Sequence, residues 1–122
     1  TGGNPKTPAN IEQLFTPSET RPNYIFQTFL YASIMCRQQT LKVAPALLYI
    51  HRAASDSYSP VIEMGEPRQP KIPVNNFTFF EDEFRKRLQT LLEEIFSENE
   101  PFTQTEDIKK CSYCDFKAIC KR

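Results

Sequence analysis

The chain has no glycine-rich loop of the kind that cradles phosphates, no Ser/His/Asp set for nucleophilic catalysis, and no pair of carboxylates flanked by a lysine. There are three glycines in 122 residues, and a single histidine, His51. A lone histidine at the end of a strand-like run reads as a polar edge residue and not as a catalyst. There is also no excess of charge of one sign. Fifteen basic residues balance fifteen acidic ones, so the whole-chain field gives no steering toward polyanions and any nucleic-acid contact must be local. No apolar run approaches the roughly 18 residues needed to span a bilayer, and no charged-then-apolar leader is visible. These absences predict a soluble, cytoplasmic chain without a membrane partner. No internal repeat or low-complexity tract is found.

With 39% apolar residues, the chain has material for one small domain and no second independent core. Residues 1–22 hold four of the ten prolines and scattered Asn, Thr and Ser, a composition that predicts a long loop. Ile11, Leu14 and Phe15 form one apolar patch in it, suited to docking as a single helical turn. Thr1-Gly2-Gly3 reads like the middle of a turn, which suggests a piece of a longer polypeptide.

From Asn23 to about Gln39, Phe26, Phe29, Leu30 and Ile34 recur at helical spacing, with Pro22 suited to the first turn. Cys36 in this helix reads as a small core residue. Val43 to His51 (VAPALLYIH) is an apolar run of strand length and predicts a buried strand with Pro45 near its start. Two shorter strand-like runs, Tyr58 to Met64 and Lys71 to Phe77, flank a turn-forming stretch from Gly65 to Pro70 and predict a hairpin. Thr78-Phe79-Phe80-Glu81 matches a capping box. The helix behind it carries Phe80, Phe84, Leu88, Leu91, Leu92, Ile95 and Phe96 on one face, with Glu81, Asp82 and Glu83 in the first turn. Arg85-Lys86-Arg87 marks its solvent face, or a phosphate contact. Beyond Ser97 the chain turns polar again and Pro101 breaks any helix.

Two constellations can carry chemistry. The stronger is Cys111-x2-Cys114-x5-Cys120. The first two thiolates of such a spacing can aim at one centre, and the third can return through a helical turn. Zinc sites and cubane clusters both need four ligands, so the fourth must come from Cys36, His51, upstream sequence or solvent. Unmetallated thiols on a frayed tail are the bland alternative, while disulfides suit this crowded placement poorly. Lys109, Lys110, Lys117, Lys121 and Arg122 flank the motif and would offset thiolate charge or touch phosphates. The second constellation is Gln27 with Tyr31, four apart and therefore stacked on one helix face. An amide and a phenol there can hold a phosphate, a base edge or the neighbour of a catalytic lysine; as simple boundary residues they need do nothing.

Taken in order, these features resemble the nuclease domain of the RecB/AddB-type helicase-nucleases and their PD-(D/E)xK relatives. In that family a catalytic strand ends in Asp-x-Lys followed by Thr-Gly, which Thr1-Gly2-Gly3 resembles. A helix with Gln-x-x-x-Tyr follows, matched by Gln27 and Tyr31, then an apolar strand similar to Leu47-Leu48-Tyr49-Ile50, then a Phe-rich helix. Cys111, Cys114 and Cys120 are similar to the last three ligands of the AddB-type 4Fe-4S cluster, whose first cysteine lies far upstream.

The resemblance implies an α/β fold: part of a restriction-endonuclease-like core, with a helix, about three strands, a long amphipathic helix and a cysteine-rich tail. Residues 1–22 would be the loop after the catalytic strand, 23–98 the C-terminal part of the nuclease core, and 99–122 the metal-binding tail. It further implies a fragment of an ATP-dependent helicase-nuclease or RecB-family exonuclease acting on DNA in double-strand break repair or recombination. Mg2+ would serve the intact nuclease, whose carboxylates and lysine are absent from this chain, leaving the piece inactive by itself. The implied partners are DNA, the upstream part of the same protein, and a helicase-nuclease partner subunit. A rival from another class is a non-catalytic zinc-binding domain that contacts nucleic acid or protein.

Overall fold

The computed structural model describes residues 3–38, 42–99 and 101–121. Thr1 and Gly2 of the opening motif, Gln39 at the expected end of the first long helix, and Arg122 of the basic flank lie outside the described residues. The elements run α1 (Glu12–Phe15), α2 (Asn23–Gln38), a 3-10 turn (Ile50–Arg52), β1 (Glu63–Met64), β2 (Ile72–Pro73), α3 (Thr78–Ile95), α4 (Ile108–Ser112) and α5 (Lys117–Cys120).

The apolar patch in the N-terminal loop is the single helical turn α1, and its Ile11 and Leu14 are fully buried. Helices α1, α2 and α3 pack against one another around Phe15, Phe26, Phe29, Phe77 and Phe84. The rings meet edge-on or tilted, with Phe15 and Phe26 at 5.2 Å, Phe29 and Phe77 at 5.0 Å, and Phe26 and Phe84 at 5.7 Å. These are the arrangements that the ring quadrupole favours, worth about 0.5–1.5 kcal/mol per pair beyond area burial. Arg87 on α3 adds an ion pair to Glu12 of α1 at 3.4 Å and one to Glu83 at 3.1 Å. Being partly exposed, each contributes at most about 1 kcal/mol.

Helix α2 starts as Pro22 suggests: the Pro22 carbonyl accepts from the N–H of Phe26 at 3.1 Å. Its buried side is rotated from the stripe the periodicity selects. Ile25, Phe29, Ala32 and Ser33 face inward, Phe26 and Leu30 are half-buried, and Ile34 is 47% exposed. The segment Tyr24 to Met35 is apolar almost all round, so spacing alone does not single out the inner face.

The hairpin is present: Glu63 pairs with Pro73 and Met64 with Ile72 in an antiparallel ladder. Gly65 opens its turn at φ +152, where a Cβ would stand 3.1 Å from the Pro70 carbonyl, so any side chain there would be strained. Lys71 closes the turn by donating to the carbonyls of Gly65 and Glu66 at 2.8 and 2.7 Å.

The expected strand Val43 to His51 needs correction. Val43, Pro45, Leu47 and Tyr49 point inward in strict alternation, but the ladder reduces to one isolated bridge between Ala46 and Val61. The Leu47 N–H reaches the Pro60 carbonyl at 2.8 Å, and the Tyr58 hydroxyl then accepts from the Tyr49 N–H and donates to the Leu47 carbonyl. Here a side chain satisfies backbone groups that a neighbouring strand would satisfy in a sheet. The outer face stays open, with Leu48 55% and Ile50 74% exposed, and His51 sits in the 3-10 turn and not at a strand end. The observed architecture is therefore helix-rich, with one small antiparallel hairpin in place of three strands, and is compatible with part of an α/β nuclease core.

The capping box also changes hands. Phe77 is already helical, and the Asn76 side-chain oxygen accepts from the Thr78 N–H at 3.2 Å and from the Thr78 hydroxyl at 2.9 Å. Asn76 thus acts as the cap, two residues earlier than the Thr78 signal. Along α3, Phe84 is fully buried and Phe80 and Leu88 are half-covered, whereas Leu92, Ile95 and Phe96 are exposed. The accessible surface is 9493 Å², against roughly 6,800 Å² expected for a folded monomer of this mass. No helix among the described residues is long and apolar enough to cross a membrane.

Candidate nucleic-acid face and cysteine tail

Helix α2 brings Gln27 and Tyr31 together. The Gln27 Nε2 donates to the Tyr31 hydroxyl at 3.0 Å, and both side chains lie on the exposed side of the helix. The reason is geometric, since residues four apart sit one above the other. The bond leaves the Tyr31 hydroxyl proton free to donate outward and the Gln27 carbonyl free to accept. Tyr24, one turn before Gln27 on the same side, is half-exposed and continues the polar stripe toward the start of the helix. Tyr24 did not stand out in the sequence, although its spacing of three and seven from Gln27 and Tyr31 is the signal that would have marked it.

Of the three cysteines of the motif, Cys111 lies on α4, Cys114 in the link between α4 and α5, and Cys120 at the end of α5. The Cys114 N–H bonds the Cys111 carbonyl at 3.1 Å, and the Cys120 N–H bonds the Phe116 carbonyl at 3.2 Å. From residue 101 to 121, the half-covered side chains are Cys111, Cys114, Cys120 and Asp107, and the rest are exposed. Yet no three His, Cys, Asp or Glu side chains among the described residues stand close enough to hold an ion. Neither Cys36 nor His51 joins the tail thiols in such a group. Cys36 packs beside the core on α2, where burial, and then the Glu81 carboxylate, push its thiol above the ordinary value. That raised value disfavours the thiolate a metal needs. Among the described residues, then, no four-ligand set for a cluster or a zinc ion is gathered.

Two Asp-x-Lys strings occur, Asp107 to Lys109 and Asp115 to Lys117. On a strand, residues two apart share a face and can act on one phosphate, whereas on a helix they point nearly opposite ways. Here Asp107 precedes α4 and pairs with Lys110 at 3.4 Å, while Lys109 reaches away to Glu19 at 3.1 Å. Neither string makes a catalytic pair. No three described carboxylates gather where they could hold one ion. Of the basic run on α3, Arg85 pairs with Asp82 at 3.0 Å and Arg87 with Glu83 and Glu12, which makes it a neutralised solvent face.

The family model of the PD-(D/E)XK nuclease superfamily matches residues 4–121, nearly the whole chain. The chain belongs to that superfamily. No curated protein and no solved structure matches it.

Proposed function

We propose that the chain is the DNA-facing, C-terminal part of a RecB/AddB-type nuclease domain, in an ATP-dependent helicase-nuclease or RecB-family exonuclease. Its work is on cytoplasmic DNA, in double-strand break repair or recombination. The observation that carries this reading is the Gln27 to Tyr31 hydrogen bond on the open side of α2, in a chain of the nuclease superfamily. A phenol donor and an amide acceptor, fixed to each other before any ligand arrives, suit a phosphodiester or a base edge at little ordering cost.

The carboxylates and lysine that would hold Mg2+ are assigned to the upstream part of the same protein. A Mg2+ held by those upstream groups would supply Lewis-acid activation of a water toward the phosphodiester. Cys111, Cys114 and Cys120 are assigned three of the four ligands of a 4Fe-4S cluster, the fourth being an upstream cysteine. Such a staple closes a long loop and is structural in purpose.

The test is DNA cleavage by the intact protein that contains these residues. Mg2+-dependent cleavage, reduced at least tenfold by Gln27→Ala, is expected; unchanged activity in Gln27→Ala and in Tyr31→Ala removes the role given to α2. Metal analysis after anaerobic purification tests the tail. Iron with a brown colour supports the cluster, zinc at one per chain favours the interaction-domain alternative, and a metal-free protein rejects both.

A further inference from the structure

Beside the start of α2 lies a cavity of about 390 Å³, lined by Asn4, Lys6, Arg21, Asn23, Tyr24 and Tyr49 among others, with no carboxylate in its wall. Its cations are held by neutral groups. The Lys6 ammonium donates to the carbonyls of Thr20 and Arg21 at 3.0 and 3.2 Å, and the Arg21 Nε donates to the Asn23 side-chain oxygen at 2.9 Å. Arg21 also lies over the Phe26 ring at 5.8 Å, which fixes its plane and leaves the terminal nitrogens available. At the rim, Arg52 donates to the Asn4 side-chain oxygen at 3.4 Å. Among the described residues none of these three cations makes an ion pair; cations elsewhere such as Lys86 and Lys117 are unpaired too, but these three are set in place by hydrogen bonds around one cavity. Positive charge is thus oriented but left uncompensated at one concave place in a chain of zero net charge.

We propose that this cavity is a nucleotide subsite: it takes one phosphodiester of a DNA strand on Lys6, Arg21 and Arg52, and the adjoining base on the half-exposed ring of Tyr24. The proposal rests on the reading of α2 as the DNA face and extends it. From Tyr24 the strand continues along α2 to Gln27 and then Tyr31, about 11 Å farther on, two helical turns at 1.5 Å per residue. Asn4 and Asn23 hold their cations in place, and Tyr49, being buried, is wall and not stacking surface. Cation and aromatic in one groove is the combination by which proteins hold single strands without reading sequence.

The test is fluorescence anisotropy of the full chain with a labelled single-stranded oligothymidylate across a salt series. Arg21→Gln with Arg52→Gln should weaken binding at least tenfold and flatten the logarithmic salt slope by about 0.7, the figure for one phosphate on a single strand. Tyr24→Leu should weaken binding severalfold with the salt slope kept. Arg21→Lys, which keeps the charge and controls for folding, should retain most of the affinity, and Arg85→Gln with Lys86→Gln should change nothing. Binding by the Arg21/Arg52 variant equal to the original, or an equal loss from the Arg85/Lys86 variant, overturns the subsite. If Gln27→Ala and Tyr31→Ala weaken binding while the Arg21/Arg52 variant does not, the subsite falls and the DNA face stands; absence of binding by the unaltered chain removes both.

Discussion

The helical body and the cysteine tail follow opposite rules. In the body, a turn of helix, two long helices and a hairpin bury Ile11, Leu14, Phe29, Phe77 and Phe84 almost completely. In the tail, Phe102, Tyr113, Phe116 and Ile119 are 89%, 93%, 66% and 79% exposed, and among the described residues its ion pair to the body is the surface contact of Lys109 with Glu19. Such a pair contributes about 0–1 kcal/mol, less than the cost of ordering a single residue. The body is held by packing its own residues supply. The tail has three thiols at a metal-ligand spacing and almost none of the packing.

The largest expected difference between the two is in core deletion. Phe84→Ala should destabilise the body by about 3–5 kcal/mol in urea unfolding, whereas Phe116→Ala in the tail should change that midpoint by less than about 0.5 kcal/mol. Equal losses would mean that the tail packs on the body after all. Next is the start of α3: Asn76→Ala should cost about 1 kcal/mol, and Thr78→Ala clearly less, because the asparagine supplies the cap. The reverse order in thermal unfolding would restore the threonine.

A smaller contrast separates the cysteines. Burial and Glu81 keep the Cys36 thiol protonated to higher pH than usual, so its alkylation should lag behind that of Cys111, Cys114 and Cys120 near pH 8 and go on accelerating as the pH rises beyond the ordinary thiol range. Mass mapping of alkylated peptides reads this, and Cys36 reacting first would contradict its placement. The smallest effect belongs to the tail's tether. Glu19→Gln should leave body stability within about 0.5 kcal/mol while loosening the segment from residue 105 to 110 in hydrogen exchange.

The body was legible where local rules decide. Helical spacing located α2 and α3, the turn residues from Gly65 to Pro70 located the hairpin, and the patch of Ile11 and Leu14 anticipated α1. What escaped depended on partners distant in sequence. The inner face of α2 was met at Phe29 but otherwise misplaced, because Phe26, Leu30 and Ile34 fit the helical period as well as Ile25 and Ala32 do. The strand at Val43 to His51 has strand residues and strand alternation, yet pairing depends on a neighbour and here Tyr58 takes that place. At Asn76 an earlier side chain outcompeted the expected cap. For the candidate site, the four-residue spacing of Gln27 and Tyr31 was enough to foresee their contact, but the cavity lined by Lys6 and Arg21, with Arg52 bonded to its Asn4, joins residues too far apart for any local pattern to show.

The hydrogen bond between Gln27 and Tyr31 carries the functional account, and a double-mutant cycle on DNA cleavage by the intact protein in Mg2+ addresses it most directly. If the two act as one unit, Gln27→Ala and Tyr31→Phe will each slow cleavage and the double variant will be no slower than the worse single one. Fully additive losses, or no loss in either, would contradict the account.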